Sequence, residues 1–239
     1  MNWRIFHKEI TESTNRDAEA GVAGDVFTAD FQTGGRGRLG HRWLSAPGEN
    51  LMMSAVVDVS GIVPDAAATL PLAVGLAVVR AVSGCCAGAK VELKWPNDVL
   101  VDGRKLAGIL CERHGDAVIA GIGVNVRQRE FPPEIADRAT SLTLVAGDGA
   151  PTVAQARSAV LDALGRVYGE WKSGGFAAIY GEICSVDRLK GRRVSVLQRD
   201  GDTEPLEGVS AGIRPDGALD VAGDAVYAGE AHVMGMGKG

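Results

Sequence analysis

Three short segments concentrate the residue types that could do chemistry. The first is Gly34-Gly35-Arg36-Gly37-Arg38-Leu39-Gly40-His41-Arg42-Trp43. Glycine lets a backbone approach an anion with its N–H groups exposed, and arginine adds a planar fork of donors that matches phosphate or carboxylate oxygens. Such a loop suits a polyanion arriving from solvent; a solvated basic loop or a nucleic-acid contact of RGG type has the same composition. The second segment is Lys94-Trp95-Pro96-Asn97-Asp98, with Gly103-Arg104-Lys105-Leu106-Ala107-Gly108-Ile109-Leu110 close behind. Lys94 at a strand end is a fixed cation, Pro96 sets a rigid bend, and Lys105 brings a second ammonium back along the returning strand. Two lysines, an amide and a carboxylate around one hairpin could bind a nucleoside triphosphate with its Mg²⁺. For any one of these residues, an exposed hairpin with solvated charges is the simpler reading. The third segment, Gly121-Ile122-Gly123-Val124-Asn125, is too short for a dinucleotide fingerprint and no helix follows it. Glycine inside a strand marks close approach by a ligand or another backbone, or a tight bulge.

What is missing narrows the classes. There is no GxxxxGK[ST], HExxH or GxSxG motif, and His7, His41, His114 and His232 sit in unrelated contexts that suggest no metal site. Cys85, Cys86, Cys111 and Cys184 form no CxxC pair and read as reduced core residues of a cytoplasmic protein. The first ten residues carry Arg4, Lys8 and Glu9 and make no signal peptide; the apolar stretch Ala66 to Val82 contains Pro71 and Arg80 and is expected to fall short of a membrane span. A net charge of −5 argues against broad nucleic-acid affinity.

The elements that must position these segments follow from periodicity. Trp3 to Phe6, Val26 to Phe31 and Leu51 to Val59 read as strands, and Ser13 and Thr14 offer N-cap hydroxyls for a helix with Asp17 in its first turn. Leu70 to Ala81 has helical spacing. Val91 to Trp95, Val99 to Val101, Lys105 to Cys111 and Ala117 to Val126 are strands joined by turns at Asp102-Gly103 and His114-Gly115-Asp116. Ala154 to Trp171 is an amphipathic helix. Successive hairpins predict an α+β fold with a mixed, largely antiparallel sheet packed with helices, residues 1–186. Short strands at Val194 to Leu197, Gly208 to Ile213 and Ala218 to Val221 predict a second, small β-barrel over 187–239.

Together these segments resemble the biotin protein ligase family. Glu12-Ser13-Thr14-Asn15 is similar to its ESTN motif, Gln32 with GRGRxG and Trp43 to its adenylate loop, and Gly48-x-Asn50-Leu51 to the strand that follows. KWPNDV with GRKLAGIL resembles its central signature, and GIGVN its GxGxN strand. The motifs occur in the family's order over residues 12 to 125, and the tail resembles its SH3-like domain. The resemblance implies a class II synthetase-like biotin/lipoate ligase fold and a two-step reaction: biotin and MgATP give biotinyl-5′-adenylate, and a lysine of a biotin carboxyl carrier domain of an acyl-CoA carboxylase then displaces AMP. It implies biotin contacts from Ser13, Thr14, Asn15, Gln32, Gly35, Arg36, Gly37, Arg38, Lys105, Gly108, Gly121 and Gly123. The nucleotide is expected against Arg36, Arg38, His41, Arg42, Trp43, Lys94, Asn97, Asp98 and Asn125. Lys105, Arg38, Asp98 and Lys94 are the expected catalytic groups, with Asp98 helping to accept the proton of the incoming lysine. His41 departs from the family pattern, which has arginine there. The chain is expected to lack the helix-turn-helix of bifunctional members, to bind neither nucleic acid nor membrane, and to be a monomer or weak homodimer. A lipoate–protein ligase, or a non-enzymatic regulator that binds biotin or its adenylate, is the alternative.

Overall fold

A computed structural model describes residues 1–86, 88–198 and 204–234; the parts of the expected tail domain at 199–203 and 235–239 lie outside the described residues. Seven strands build the larger sheet: β1 (Arg4–Thr11), β2 (Asp25–Gln32), β3 (Asn50–Asp58), β4 (Val91–Lys94), β5 (Asp98–Val101), β6 (Arg104–His114) and β7 (Ala117–Asn125). Their spatial order is β1-β2-β3-β7-β6-β5-β4. Every neighbouring pair is antiparallel except β1 with β2, so the mixed, largely antiparallel α+β architecture is as predicted. The parallel pair exists because a crossover through α1 (Thr14–Ala18) carries the chain back before β2 begins. At the β5–β6 turn, Asp102 and Gly103 both adopt positive φ (49° and 81°), the backbone that an Asp-Gly hairpin requires.

Strand alternation gives the sheet two different faces. Leu51, Met53, Ala55 and Val57 of β3, with Val118, Ala120, Ile122 and Val124 of β7, point into the main core. That core is closed by α3 (Leu70–Ser83) and α5 (Val153–Gly174). The intervening residues face the other way. Near the β6–β7 turn they pack as Val56 and Ile119 against Ala18 of α1; further along they are Ser54, Gly121, Gly123 and Asn125.

Residues 64–83 are, against expectation, long and apolar enough by length and composition to cross a membrane, but 61% of that window is buried inside the protein. Pro71 lies in the first turn of α3, where no N–H is missed. Arg80 is matched by Glu170 of α5 and Glu182 of α6 (Ala177–Ser185), each gripped by two nitrogens. Three other predicted features differ. Strand β1 is longer than Trp3 to Phe6. Ser13 caps no backbone N–H of α1, and the Asp17 carboxylate in its first turn is bonded to Thr11 and Lys8. Helix α6 and the short helices α2 (Pro64–Ala67) and α4 (Leu142–Ala146) were not predicted.

The tail forms a five-stranded antiparallel sheet: β8 (Arg193–Leu197), β9 (Leu206–Ile213), β10 (Leu219–Val221), β11 (Asp224–Val226) and β12 (Glu230–Val233), in the order β11-β10-β9-β8-β12. Its inner residues, among them Val194, Leu219 and Val226, belong to the same apolar cluster as the main core. The junction is held by backbone bonds between Leu93 and Val186/Arg188 and by the Trp95 indole N–H donating to Gly217 C=O at 3.1 Å. The Asp187 carboxylate accepts from the N–H groups of Leu189 and Ile213. Burial pushes that carboxyl above its usual range.

Candidate active site

The sheet face left free by the long helices floors a cleft of about 850 Å³. Every expected site residue lines it except Gly35, which is buried under the arginine loop and accepts a bond from the Trp43 N–H through its carbonyl. The three sequence segments, far apart in the chain, therefore meet.

At the inner end, α1 and β2 present Thr14 and Gln32. The Thr14 N–H donates to Gln32 Oε1 at 2.7 Å, which fixes the amide's orientation. Asn15 is buried, and its amide is engaged with Ser54, Leu110 C=O and the Glu112 carboxylate. Gly121 is the place it occupies: a Cβ there would lie 2.2 Å from Asn15 Oδ1. Gly123 and Gly108, paired across β7 and β6, form the floor under the Trp43 indole; a Cβ at Gly123 would come 2.6 Å from the ring. The three glycines make room here for side chains of the chain itself.

In the middle, register places Lys94 opposite Asp98 and Asp98 opposite Gly108. The Lys105 ammonium forms an ion pair with Asp98 at 2.6 Å from Oδ1 and lies 6.0 Å from the Trp43 ring centre. Backbone bonds to Arg138 C=O and from the Thr140 N–H hold Lys105 against the 127–140 segment. Burial lowers the pKa of Lys94; Asp98 opposes that shift and Lys105 adds to it. An anion entering the cleft would favour the charged form of Lys94. Asn97 and Asn125 line the cleft, but their Nδ2 groups are already donated to Ile109 C=O and Thr140 C=O.

At the outer end the arginine loop is a narrow hairpin in which Arg36 faces Arg42 and the Gly37 N–H donates to His41 C=O. Leu39 and Gly40 turn it with φ of 53° and 75°. Arg38 reaches over the cleft to donate to Gly229 C=O at 3.2 Å, and His41 lies 3.4 Å from the Glu230 carboxylate. Burial lowers the pKa of Arg38, with Asp98 and then Glu230 opposing. The tail sheet thus closes one wall of the site.

A family description, biotin/lipoate A/B protein ligase, matches residues 9–128. A biotin–(acetyl-CoA-carboxylase) ligase of Paracoccus denitrificans is 33% identical over 229 residues, 90% of this chain and 92% of that one. The chain belongs to the biotin/lipoate A/B protein ligase family. The solved biotin protein ligase of Aquifex aeolicus in complex with biotin and ATP superposes with a TM-score of 0.83 at 30% identity, over 96% of this chain and 97% of that one. The bifunctional ligase/repressor BirA of Bacillus spizizenii is 34% identical over 160 residues, 62% of this chain but only 49% of that protein. The chain thus spans about half the length of that curated relative.

The structure adds residues that motif reading missed. Ser54, buried behind the cleft lining, and Glu112 brace the inner end, Arg138 stands on the 127–140 wall, and Glu230 and His232 come from β12, with Gly229 just before it. A lone serine in the apolar run Leu51 to Val57 was the available signal for Ser54. The β12 residues carry none, since only the fold brings them to the loop.

Proposed function

We propose that the chain is a biotin–(biotin carboxyl-carrier protein) ligase that makes biotinyl-5′-adenylate and transfers biotin to a carrier lysine. The observation that carries this reading is the gathering of Arg36, Arg38, Lys94 and Lys105 in one cleft, beside an indole lying on glycines. A carboxylate attacking the α-phosphate of ATP brings negative charges together, and fixed cations offset that repulsion. The biotin carboxylate oxygen bonds to phosphorus and pyrophosphate leaves; a neutral lysine amine then attacks the acyl carbon and AMP leaves. Positioning supplies the rest, with no covalent enzyme intermediate. Ser13, Thr14 and Gln32 would hold the biotin head and Lys105 its carboxylate. Trp43, Asn97 and Asn125 would line the nucleotide. Asp98 would steer the incoming ammonium and help take its proton. Among the described residues no three His, Cys, Asp or Glu side chains gather as metal ligands. Mg²⁺ would therefore come in on the ATP phosphates, with Asp98 as a carboxylate in reach of them.

The same reading takes the carrier to be the biotin domain of an acyl-CoA carboxylase and the tail sheet to be an SH3-like unit beginning near residue 187. The four cysteines are unpaired, which supports a reducing, cytoplasmic setting. The test is incubation with MgATP, a biotin-acceptor domain and either biotin or lipoate, followed by mass measurement. Biotin-sized growth of the acceptor is the expected result; growth with lipoate alone would replace the reading by the lipoate one.

A further inference from the structure

Ser54 sits midway along β3, fully buried, on the cleft face opposite Gly121 and between Met52 and Val56. A hydroxyl there is costly unless bonded. Its Oγ lies 2.6 Å from Asn15 Oδ1 and 2.7 Å from Thr14 Oγ1. The direction of these bonds follows from their surroundings. Asn15 Nδ2 faces the Leu110 carbonyl and the Glu112 carboxylate, which only accept, so Oδ1 is the atom turned to Ser54. The single Ser54 proton goes to Asn15. The Thr14 hydroxyl touches two oxygens, Ser54 Oγ at 2.7 Å and Gln32 Oε1 at 3.0 Å. With the Ser54 proton on Asn15 and the Thr14 N–H already on Gln32 Oε1 at 2.7 Å, its proton goes to the shorter contact, so Thr14 donates to Ser54.

Two consequences reach the cleft. Thr14 Oγ1, with its proton spent inward, keeps a lone pair for a ligand N–H. Gln32 Oε1 is held by the Thr14 N–H, so its Nε2, which bonds no described residue, is free to donate to a ligand carbonyl. Acceptor and donor lie side by side, complementary to a cyclic urea or amide. We infer that Ser54, anchored through Asn15 by Glu112, is the positioning residue that fixes this acceptor–donor pair and so sets preference for an acid whose ring carries N–H beside C=O. The inference rests on the ligase reading and deepens it.

Pyrophosphate exchange, with biotin and ATP varied separately, tests it. Ser54→Ala should raise the KM for biotin about tenfold, the scale of one lost hydrogen bond in a buried site, and leave kcat and the KM for ATP unchanged. In a Thr14→Val background the same change should add little, because Ser54 acts through Thr14. Glu112→Gln, at an exposed position where folding is not at stake, should also raise the biotin KM severalfold, since glutamine can donate and lets the Asn15 amide turn over. An unchanged biotin KM in Ser54→Ala or in Glu112→Gln overturns the inference, as does an equal rise in both Thr14 backgrounds. Absence of biotin-dependent exchange in the unmodified protein would overturn the functional reading, and this one with it.

Discussion

The two ends of the cleft are built by opposite means. At the inner end, Thr14, Asn15 and Ser54 are buried on regular elements, and their polar atoms are bonded to one another. At the outer end, Arg36, His41 and Arg42 stand exposed on a loop whose ties are three backbone bonds within it and contacts to Gly229 and to Glu230 of β12. Buried, mutually satisfied polar groups specify one arrangement, whereas exposed ion pairs contribute little and are screened by salt. The inner end is therefore set before a ligand arrives, and the outer end is free to adjust over a charged intermediate. Lys105 joins the two, touching Asp98 on β5 and lying under Trp43 from the loop.

That junction is where the largest loss is expected. Lys105→Ala removes the cation aimed at carboxylate and phosphate and breaks the ion pair with Asp98. Adenylate formation should fall by about a hundredfold or more, as when one preorganised donor to a developing charge is lost. Pyrophosphate exchange within a fewfold of the unmodified protein would show Lys105 to be a solvated strand residue.

The glycine pair separates the ends. Gly121→Ala pushes on Asn15 and should raise the biotin KM by about tenfold or more while sparing that for ATP. Gly123→Ala pushes on Trp43 and should do the reverse. Equal effects on both substrates from either variant would mean that the two ends are one mechanical unit.

Legibility in the sequence divides along the same line. The β5–β6–β7 meander was readable because Asp102-Gly103 and alternating apolar residues are local signals that burial reinforces. The pairing of β3 with β7, and of β1 with β2 in parallel, was not readable, because partner choice across a sheet is decided by tertiary packing. Helix α6 was hidden by Gly181, Cys184 and Ser185, whose weak helix propensity is outweighed by burial of Ile179 and Ile183. In the site, motif residues at fixed spacing announced themselves. Their supports did not: Glu112 lies in β6 just past the GRKLAGIL run without belonging to it, and Glu230 lies more than a hundred residues beyond the last motif. Gly121 and Gly123 were expected to mark close approach by a ligand or another backbone, or a tight bulge; the groups that approach them here are the Asn15 and Trp43 side chains.

Arg38→Gly should act on the loop without touching the inner end. With one guanidinium fork gone from over the acyl phosphate, the adenylate should dissociate about tenfold faster, the scale of one charge-assisted hydrogen bond, while the biotin KM changes little. Released adenylate should then label bystander lysines. Labelling that stays confined to the carrier, with an unchanged dissociation rate, would take Arg38 out of this role.

The smallest expected effect probes the tail sheet's share of the site. Glu230 lies 3.4 Å from His41 on the loop and 3.6 Å from His232 on its own strand, and its charge also favours the protonated form of Arg38. All three carboxylate neighbours are at least partly in solvent, so the contact energy is modest, about 0.2–1 kcal/mol for exposed pairs. Glu230→Gln keeps the shape and removes the charge. It should loosen the loop and speed adenylate release by about 1.4-fold to fivefold, the kinetic counterpart of that energy range. The difference should also shrink as salt rises, because exposed charges are screened within about 8 Å at physiological ionic strength. Loss of Arg38 would cost more, and its effect should persist in salt, since its guanidinium is partly buried over the cleft. Adenylate dissociation measured for both variants at low and high salt separates the cases. If Glu230→Gln costs as much as Arg38→Gly and resists salt, the tail strand is part of the preset machinery, and the division between a fixed inner end and an adjustable outer one does not hold.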